Sequence, residues 1–201
     1  MKINLPNNVL RLFGIPAIVI MLCAAGCKGI SEFNKGDDDA MNGGFEVIKD
    51  GLPVNWYFYS PKTVPQGDFN ITEDSLVFKE GTRSLKFSVR KCRSIGGRFS
   101  PGFFEDFTAT AGETCKVSFW VKNEGCLFKV YLQSYEYGKG SNQDTIVSTR
   151  ENFEDWKYFE TNFKVNYNRI RFEANILGAG TIWFDDVRID GLTDKSDRKA
   201  L

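Results

Sequence analysis

Apolar and polar residues alternate along several segments of the chain, most clearly at 84–90, 116–122, 128–133 and 169–176. A period of two over four to eight residues is typical of β-strands with one buried face, and no segment shows a convincing helical period. About ten such strands, separated by turn residues, predict two packed antiparallel sheets. The sequence therefore predicts an all-β protein, an antiparallel β-sandwich of the jelly-roll kind. Its eighteen phenylalanines suit an inter-sheet core.

The N-terminus has a different pattern. Lys2 and Arg11 are its only charges, residues 12–22 are apolar, and small residues lead to Cys27. This order is typical of a secretory signal, and the apolar stretch is shorter than the roughly 20 residues that a membrane-spanning helix needs. The sequence Ala-Ala-Gly-Cys resembles a bacterial lipobox, which implies that Cys27 is lipidated and begins the mature protein. An ordinary secretory signal that is cleaved nearby is the alternative.

These signals predict four regions along the chain. Residues 1–26 form a lipoprotein signal peptide, and residues 27–41 are the lipidated cysteine and a flexible polar tether. Residues 42–191 form one β-sandwich domain, and residues 192–201 are a polar C-terminal tail. We expect a lipid-anchored protein of the bacterial cell envelope, at the outer membrane, that contacts the membrane only through its lipid. Its periplasmic or surface orientation stays open.

Composition excludes several kinds of function. The 26 basic and 26 acidic residues balance, so no long-range field favours a nucleic-acid partner. The chain contains no histidine, which excludes Ser-His-Asp and Cys-His catalysis and every imidazole metal site. Three cysteines, Cys92, Cys115 and Cys126, lie in the domain. They allow at most one disulfide, and buried free thiols are equally compatible with the sequence.

The polar face of the predicted strands is the candidate binding surface. A sugar ring needs an apolar platform for its C–H face and planar polar groups for its hydroxyls, and aromatic, amide, guanidinium and carboxylate side chains supply both. Ordinary cross-strand pairing of good strand-forming residues is the alternative. The predicted carbohydrate-binding residues are Trp120, Tyr131, Gln133, Tyr135, Arg171, Glu173 and Asn175, with Tyr137 in the same alternation.

Four motifs support this interpretation by resemblance. They are Asn42-Gly-Gly-Phe-Glu46 with Gly51-Leu-Pro-Val-Asn-Trp56, Lys79-Glu-Gly-Thr-Arg-Ser-Leu85, Ser118-Phe-Trp-Val-Lys122, and Trp183-Phe-Asp-Asp-Val187. Together, in this order, they resemble carbohydrate-binding modules of families 4, 9 and 22. The resemblance implies a galactose-binding-like β-sandwich that binds an oligo- or polysaccharide without cleaving it, in a cleft across one sheet or at the loop tips.

The resemblance also implies a structural calcium ion. It would be held by Glu46 and Asp185, less favourably by Asp186, and by backbone carbonyls of the turn at 79–84. Calcium takes six to eight oxygen ligands, and buried aspartates in an apolar strand need some such compensation. In the alternative, Glu46 and Asp185 accept hydrogen bonds from backbone amides without a metal.

Two other functions remain as alternatives. Some jelly rolls are glycoside hydrolases that use two carboxylates about 5 to 10 Å apart, for which Glu136 and Glu173 are the candidates. Glu136 has the opposite parity to Tyr135 and Tyr137, however, so we predict that the chain is not an enzyme. The second alternative is a protein-interaction subunit of a cell-surface assembly, in which the tyrosine face docks a partner protein.

Overall fold

A computed structural model describes residues 31–36 and 41–192 as an antiparallel β-sandwich. The predicted fold class is confirmed. One short 3-10 helix, Gly97–Phe99, accompanies the strands in this part of the chain. The strands are β1 (Glu32–Asn34), β2 (Ile48–Lys49), β3 (Leu52–Pro53), β4 (Trp56–Tyr59), β5 (Asp68–Asp74), β6 (Ser84–Lys91), β7 (Gly102–Thr108), β8 (Thr114–Glu124), β9 (Phe128–Glu136), β10 (Gly140–Thr149), β11 (Phe153–Lys164), β12 (Arg169–Ile176) and β13 (Gly180–Asp190).

Two sheets form the layers of the sandwich. The six-stranded sheet has the order β1-β4-β7-β12-β9-β10, and the five-stranded sheet has the order β11-β8-β13-β6-β5. Phenylalanines from both sheets fill the space between them, as the composition predicted. Phe103 of the six-stranded sheet lies edge-on to Phe184 of the five-stranded sheet, with 5.1 Å between ring centres. Trp56, the last residue of the first motif, is fully buried beside Phe103.

The N-terminal boundary of the sandwich differs from the prediction. Residues 32–34, which we assigned to the flexible tether, form β1 and pair with β4. Asn34 fixes this strand, because its side-chain amide donates to the carbonyl oxygens of Lys49, Leu52 and Pro53. The polar composition of this segment predicted a tether, but hydrogen bonds hold it as a short edge strand.

The predicted signal peptide and Cys27 lie outside the described residues, and so do residues 37–40 and 193–201. Within the described ranges, none of the helices has the length and apolar character needed to cross a membrane. The cysteines at 92, 115 and 126 are free thiols. Burial raises the pKa of the Cys115 thiol to about 11 and that of Cys126 to about 12.

The two ends of the six-stranded sheet carry different connections. At one end, Asn175 pairs with both Gly102 and Lys129, and its side-chain oxygen accepts a hydrogen bond from the Gly97 amide of the 3-10 helix. At the other end, the turn 137–139 joins β9 to β10. We call these the helix end and the hairpin end.

Candidate functional site

The outer face of the six-stranded sheet carries two rows of side chains that cross the strands. The rows follow from the register, because paired residues of neighbouring antiparallel strands point to the same face. The polar row, near the hairpin end, consists of Gln143, Gln133, Arg171 and Asp106. The aromatic row, one step toward the helix end, consists of Tyr131, Glu173, Phe104, Tyr57 and Phe33.

Arg171 is held in a fixed orientation at the centre of the polar row. Its Nε and one terminal nitrogen donate to the two oxygens of Asp106 at 2.8 and 2.7 Å. The guanidinium carbon lies 4.1 Å from the ring centre of Phe104 and 5.7 Å from that of Tyr135. Burial alone would lower the pKa of Arg171, but the Asp106 and Glu173 carboxylates raise it above its usual range. The sheet thus presents a planar, permanently charged donor whose geometry is set before any ligand arrives.

Glu173 and Asn175 are buried, which contradicts the predicted place of both side chains on the exposed surface. Glu173 is 2% exposed and Asn175 is 3% exposed. Asn175 donates to Glu173 at 2.9 Å, and the hydroxyls of Tyr59 and Tyr131 also hydrogen-bond to this carboxylate. Burial and the charge of Glu173 raise the pKa of both tyrosines. The two side chains support the face from beneath. Alternation predicts that they point outward, but it does not show that tyrosine rings and the 3-10 helix cover them.

Trp120 lies on the opposite side of the molecule from the other predicted residues, and its placement in the same face is wrong. It belongs to β8 of the five-stranded sheet and pairs with Tyr158, with 4.9 Å between ring centres. The Lys79 ammonium lies 4.4 Å from the Trp120 ring centre. Parity within a strand distinguishes an inner from an outer face, but it does not tell which of the two sheets the strand joins.

An open depression of about 540 Å³ lies at the hairpin end of the outer face. This volume falls in the range of small-ligand sites, about 300–1,000 Å³. Tyr137 stands at its rim with 79% exposure, and its ring lies edge-on to Tyr135 at 5.6 Å. The residues that line this hairpin depression are Gln133, Tyr135, Glu136, Tyr137, Gly138, Lys139, Gly140, Ser141 and Arg171. Three predicted site residues, Gln133, Tyr135 and Arg171, therefore come together, and Tyr131 borders them in the aromatic row.

Sequence reasoning missed the aromatic residues that β4 and β7 contribute. Tyr57 stacks on Phe104 with 4.8 Å between ring centres and 6° between ring planes, and Phe33 of β1 lies 4.4 Å from Tyr57. The signal was present in the sequence Trp-Tyr-Phe-Tyr at 56–59. When Trp56 and Phe58 enter the core, the alternation sends Tyr57 and Tyr59 to the outer face.

The two carboxylates considered for glycoside hydrolysis do not meet. Glu173 pairs with Tyr131 on β9, and Glu136 lies five residues farther along that strand. Five residues of an antiparallel strand span about 17 Å, well beyond the roughly 5 to 10 Å that glycosidase mechanisms require. Glu136 instead forms an ion pair with Lys139 at 2.5 Å.

Glu46 and Asp185 hold one turn, residues 79–83, from two sides. Glu46 accepts hydrogen bonds from the Thr82 and Arg83 amides at 2.8 and 3.2 Å. Asp185 is fully buried and accepts from the Lys79 and Glu80 amides at 2.7 and 3.1 Å.

This arrangement matches the metal-free alternative. The carboxylate oxygens of Glu46 and Asp185 face N–H groups, and an N–H group cannot bind a cation. The third candidate, Asp186, accepts a hydrogen bond from Arg188 at 2.8 Å. Among the described residues, no group of three or more acidic, cysteine or histidine side chains is placed to hold a metal ion. The donor set as arranged does not fit calcium, and calcium binding itself stays an untested prediction.

Comparison with known proteins supports the fold. The sequence matches no protein-family model and no curated protein. The structure is similar to the CBM22-1 xylan-binding domain from Paenibacillus barcinonensis Xyn10C, with 14% identity, 80% of this chain and 98% of that chain covered, and a TM-score of 0.55. It is also similar to TmCBM61 in complex with β-1,4-galactotriose, with 22% identity, 78% and 99% coverage, and a TM-score of 0.52.

A third similar structure is the N-terminal CBM22-1–GH10 part of endo-1,4-β-D-xylanase 10B from Clostridium thermocellum, in complex with xylohexaose. The identity is 19%, the TM-score is 0.52, and the match covers 68% of this chain but only 26% of that longer chain. At these identities the similarity establishes a shared fold. The chain therefore has the β-sandwich fold of carbohydrate-binding modules, and the resemblance inferred from its four motifs is confirmed at that level.

Proposed function

We propose that this protein is a non-catalytic glycan-binding lipoprotein of the bacterial cell envelope, which binds an oligo- or polysaccharide on the outer face of its six-stranded sheet. The observation that carries the proposal is the polar row, bordered by aromatic rings and opening into the hairpin depression. Similar modules that bind xylan, xylohexaose and galactotriose share the fold and support the proposal.

Each part of this surface suits one part of a sugar. Tyr135 and Tyr137 offer rings for the apolar face of a pyranose, and Gln133, Ser141 and Arg171 offer hydrogen bonds to its hydroxyls. A hydroxyl that fails to match leaves a desolvated polar group unpaired, which costs about 1–3 kcal/mol. The polar residues should therefore discriminate between sugars, while the tyrosines provide affinity for pyranoses in general.

The proposed absence of catalysis rests on the state of the two carboxylates at the centre of this face. Asp106 is bound in a bidentate pair by Arg171, and the same guanidinium lies 3.6 Å from Glu173. Both carboxylates are thus engaged by Arg171, and Glu173 is buried, so neither is free to contact a glycosidic oxygen of a chain bound on this face.

A lipid on Cys27 fits the position of the candidate site. Only the four residues 28–31 separate Cys27 from β1, which begins beside the helix end of the sheet. The hairpin depression lies at the other end, and the seven residue-to-residue steps of β9 from Lys129 to Glu136 span about 24 Å. The lipid would hold the domain close to the membrane with the depression directed away from it.

The test of glycan binding is calorimetry with xylohexaose, β-1,4-galactotriose and a wider glycan panel. We expect a dissociation constant on the order of micromolar to millimolar for at least one ligand. Tyr135→Ala should weaken that binding by about tenfold or more, because it removes a stacking platform without touching the core.

Tyr158→Ala is the matched control, since Tyr158 is 44% exposed on the opposite sheet and should leave binding unchanged. The proposal fails if no glycan binds, or if Tyr135→Ala binds as tightly as the wild type.

The anchor is tested separately by Cys27→Ser. The variant should lose its lipid and leave the membrane fraction, or accumulate unprocessed, as judged by fractionation and intact mass. The lipoprotein proposal is contradicted if the Cys27→Ser variant stays in the membrane fraction and the mass of the wild-type protein shows no lipid on Cys27. Glycan binding by the isolated sandwich would be unaffected by either result.

A protein-interaction subunit is the second candidate, and one observation favours it. Leu76 is 90% exposed and Phe78 is 40% exposed in the loop between β5 and β6, close to Lys79, which covers Trp120. Exposed apolar groups of this kind are typical of protein contacts. If a Leu76→Ser/Phe78→Ser variant still binds glycan, this apolar loop is not part of the glycan site.

A further inference from the structure

The acidic side chains on the outer face of the six-stranded sheet are all paired. Asp106 and Glu173 share Arg171, and Glu136 at the rim pairs with Lys139. Glu105 pairs with the core residue Phe172, so its position on β7 has the opposite parity to this face. The half of the face that β9 and β12 form thus presents no uncommitted anion among the described residues.

Two cations on the same half have no ion-pair partner within residues 31–36 and 41–192. Lys129 lies with its ammonium 5.1 Å from the ring centre of Tyr131. Arg169 lies 5.9 Å from the ring centre of Tyr137 and hydrogen-bonds to the hydroxyl of Tyr135, which is a neutral group. Each positive charge is therefore held beside a tyrosine ring of the outer face, where a bound sugar would stack.

The two cations mark the two ends of the tyrosine column on β9. Arg169 pairs directly with Tyr135, and Lys129 lies six residues earlier on β9, about 20 Å away. Tyr131 and Tyr135 lie between them and point to the same face. A chain that follows the column from the helix end to the hairpin end passes both charges.

From this arrangement we infer that the ligand is an acidic polysaccharide, whose carboxylate or sulfate groups pair with Lys129 and Arg169 while its rings stack on the tyrosines. The inference rests on the proposed glycan binding and names its substrate class. A neutral chain would leave both cations solvated, whereas an acidic chain forms charge-assisted hydrogen bonds with them, which are about twice as strong as neutral ones. The unpaired cations of the face act as its specificity determinants.

The experiment compares polymers that differ only in charge. Polygalacturonate is measured against its methyl-esterified form, and chondroitin sulfate against unsulfated chondroitin, by calorimetry or affinity electrophoresis. The first pair reports on carboxylate and the second on sulfate. We expect the more highly charged member of at least one pair to bind about tenfold more tightly or better, with an advantage that shrinks as salt is raised.

Lys129→Gln/Arg169→Gln should abolish that advantage and leave residual binding equal for both members of the pair. Lys79→Gln is the matched control, because it removes a lysine that also lies over an aromatic ring, but on the opposite sheet. Equal or weaker binding of the more highly charged member in both pairs, with binding of a neutral glycan intact, overturns the acidic specificity and leaves the proposed function standing. Absence of binding to every glycan overturns both.

Discussion

Replacing Glu173 by glutamine removes the buried carboxylate on which the outer face is organised. Glu173 is 2% exposed and accepts hydrogen bonds from the Asn175 amide and from the hydroxyls of Tyr59 and Tyr131. The Arg171 guanidinium lies 3.6 Å from it. Glutamine fits the same space, but it offers one acceptor oxygen and brings an NH₂ group into a cluster of donors. At least one donor is left without an acceptor, and Arg171 loses part of its countercharge.

The size of the effect follows from these contacts. A hydrogen bond to a charged group contributes about 1.5–3 kcal/mol, and removing one partner of a buried charge pair costs about 3–5 kcal/mol. We expect Glu173→Gln to lower the free energy of unfolding by about 3–5 kcal/mol. For a domain of this size, that corresponds to a fall in melting temperature of roughly 6–20 °C.

Urea unfolding and thermal melting measure the loss directly. The matched control is Glu160→Gln on the opposite sheet, where the carboxylate accepts from the Tyr158 hydroxyl at 2.8 Å and pairs with Lys116 at 2.7 Å, but in solvent. Water and salt screen that contact, so the control should melt with the wild type. A loss for Glu173→Gln of less than about 1 kcal/mol would refute the view that a buried carboxylate supports the face.

Two further measurements concern other carboxylates that accept backbone hydrogen bonds. Burial opposes ionisation of Asp74, but hydrogen bonds from Trp183, Lys86 and two backbone amides lower its pKa to about 2. Against about 3.9 in the unfolded chain, its ionised form contributes about 2 kcal/mol that is complete above pH 4 and lost as the pH falls through 2. Asp74→Asn should therefore destabilise the protein at pH 7 and little at pH 2 in urea unfolding, and an equal loss at both would contradict this assignment. Because backbone amides occupy Glu46 and Asp185, EDTA should leave the melting temperature unchanged, whereas a fall that excess calcium reverses would establish the calcium site.

Much of the fold was predictable because its determinants are local in sequence. The period-two segments became strands, and residues of the quoted motifs meet around the turn at 79–83. A β-carbon at Gly43 would lie 1.9 Å from the Val187 carbonyl oxygen, and one at Gly81 would lie 2.1 Å from the Glu46 carboxylate. Gly81 also has a φ of +67°, which favours glycine. The motifs are recognisable because close backbone approaches restrict which residues they can contain.

The candidate site was only partly predictable, because it depends on which strands become neighbours. β9 and β12 do pair, so Gln133, Tyr135 and Arg171 share a surface as their alternation suggested. Trp120 obeys the same alternation but joins the other sheet. Strand order is set by long-range packing, and nothing local in a period-two pattern encodes it.

Burial on the outer face explains the remaining errors and points to where specificity lies. Side chains that point away from the core divide into those whose polar groups are buried and paired, such as Glu173 and Asn175, and cations without an ion-pair partner, such as Lys129 and Arg169. The engaged groups have exchanged water for protein partners, so a ligand gains little by approaching them. The groups without an ion-pair partner can still exchange water for a ligand. The charge of the ligand therefore follows from the cations that the outer face of the six-stranded sheet leaves without an ion-pair partner. Lys129 and Arg169 both lie outside the quoted motifs.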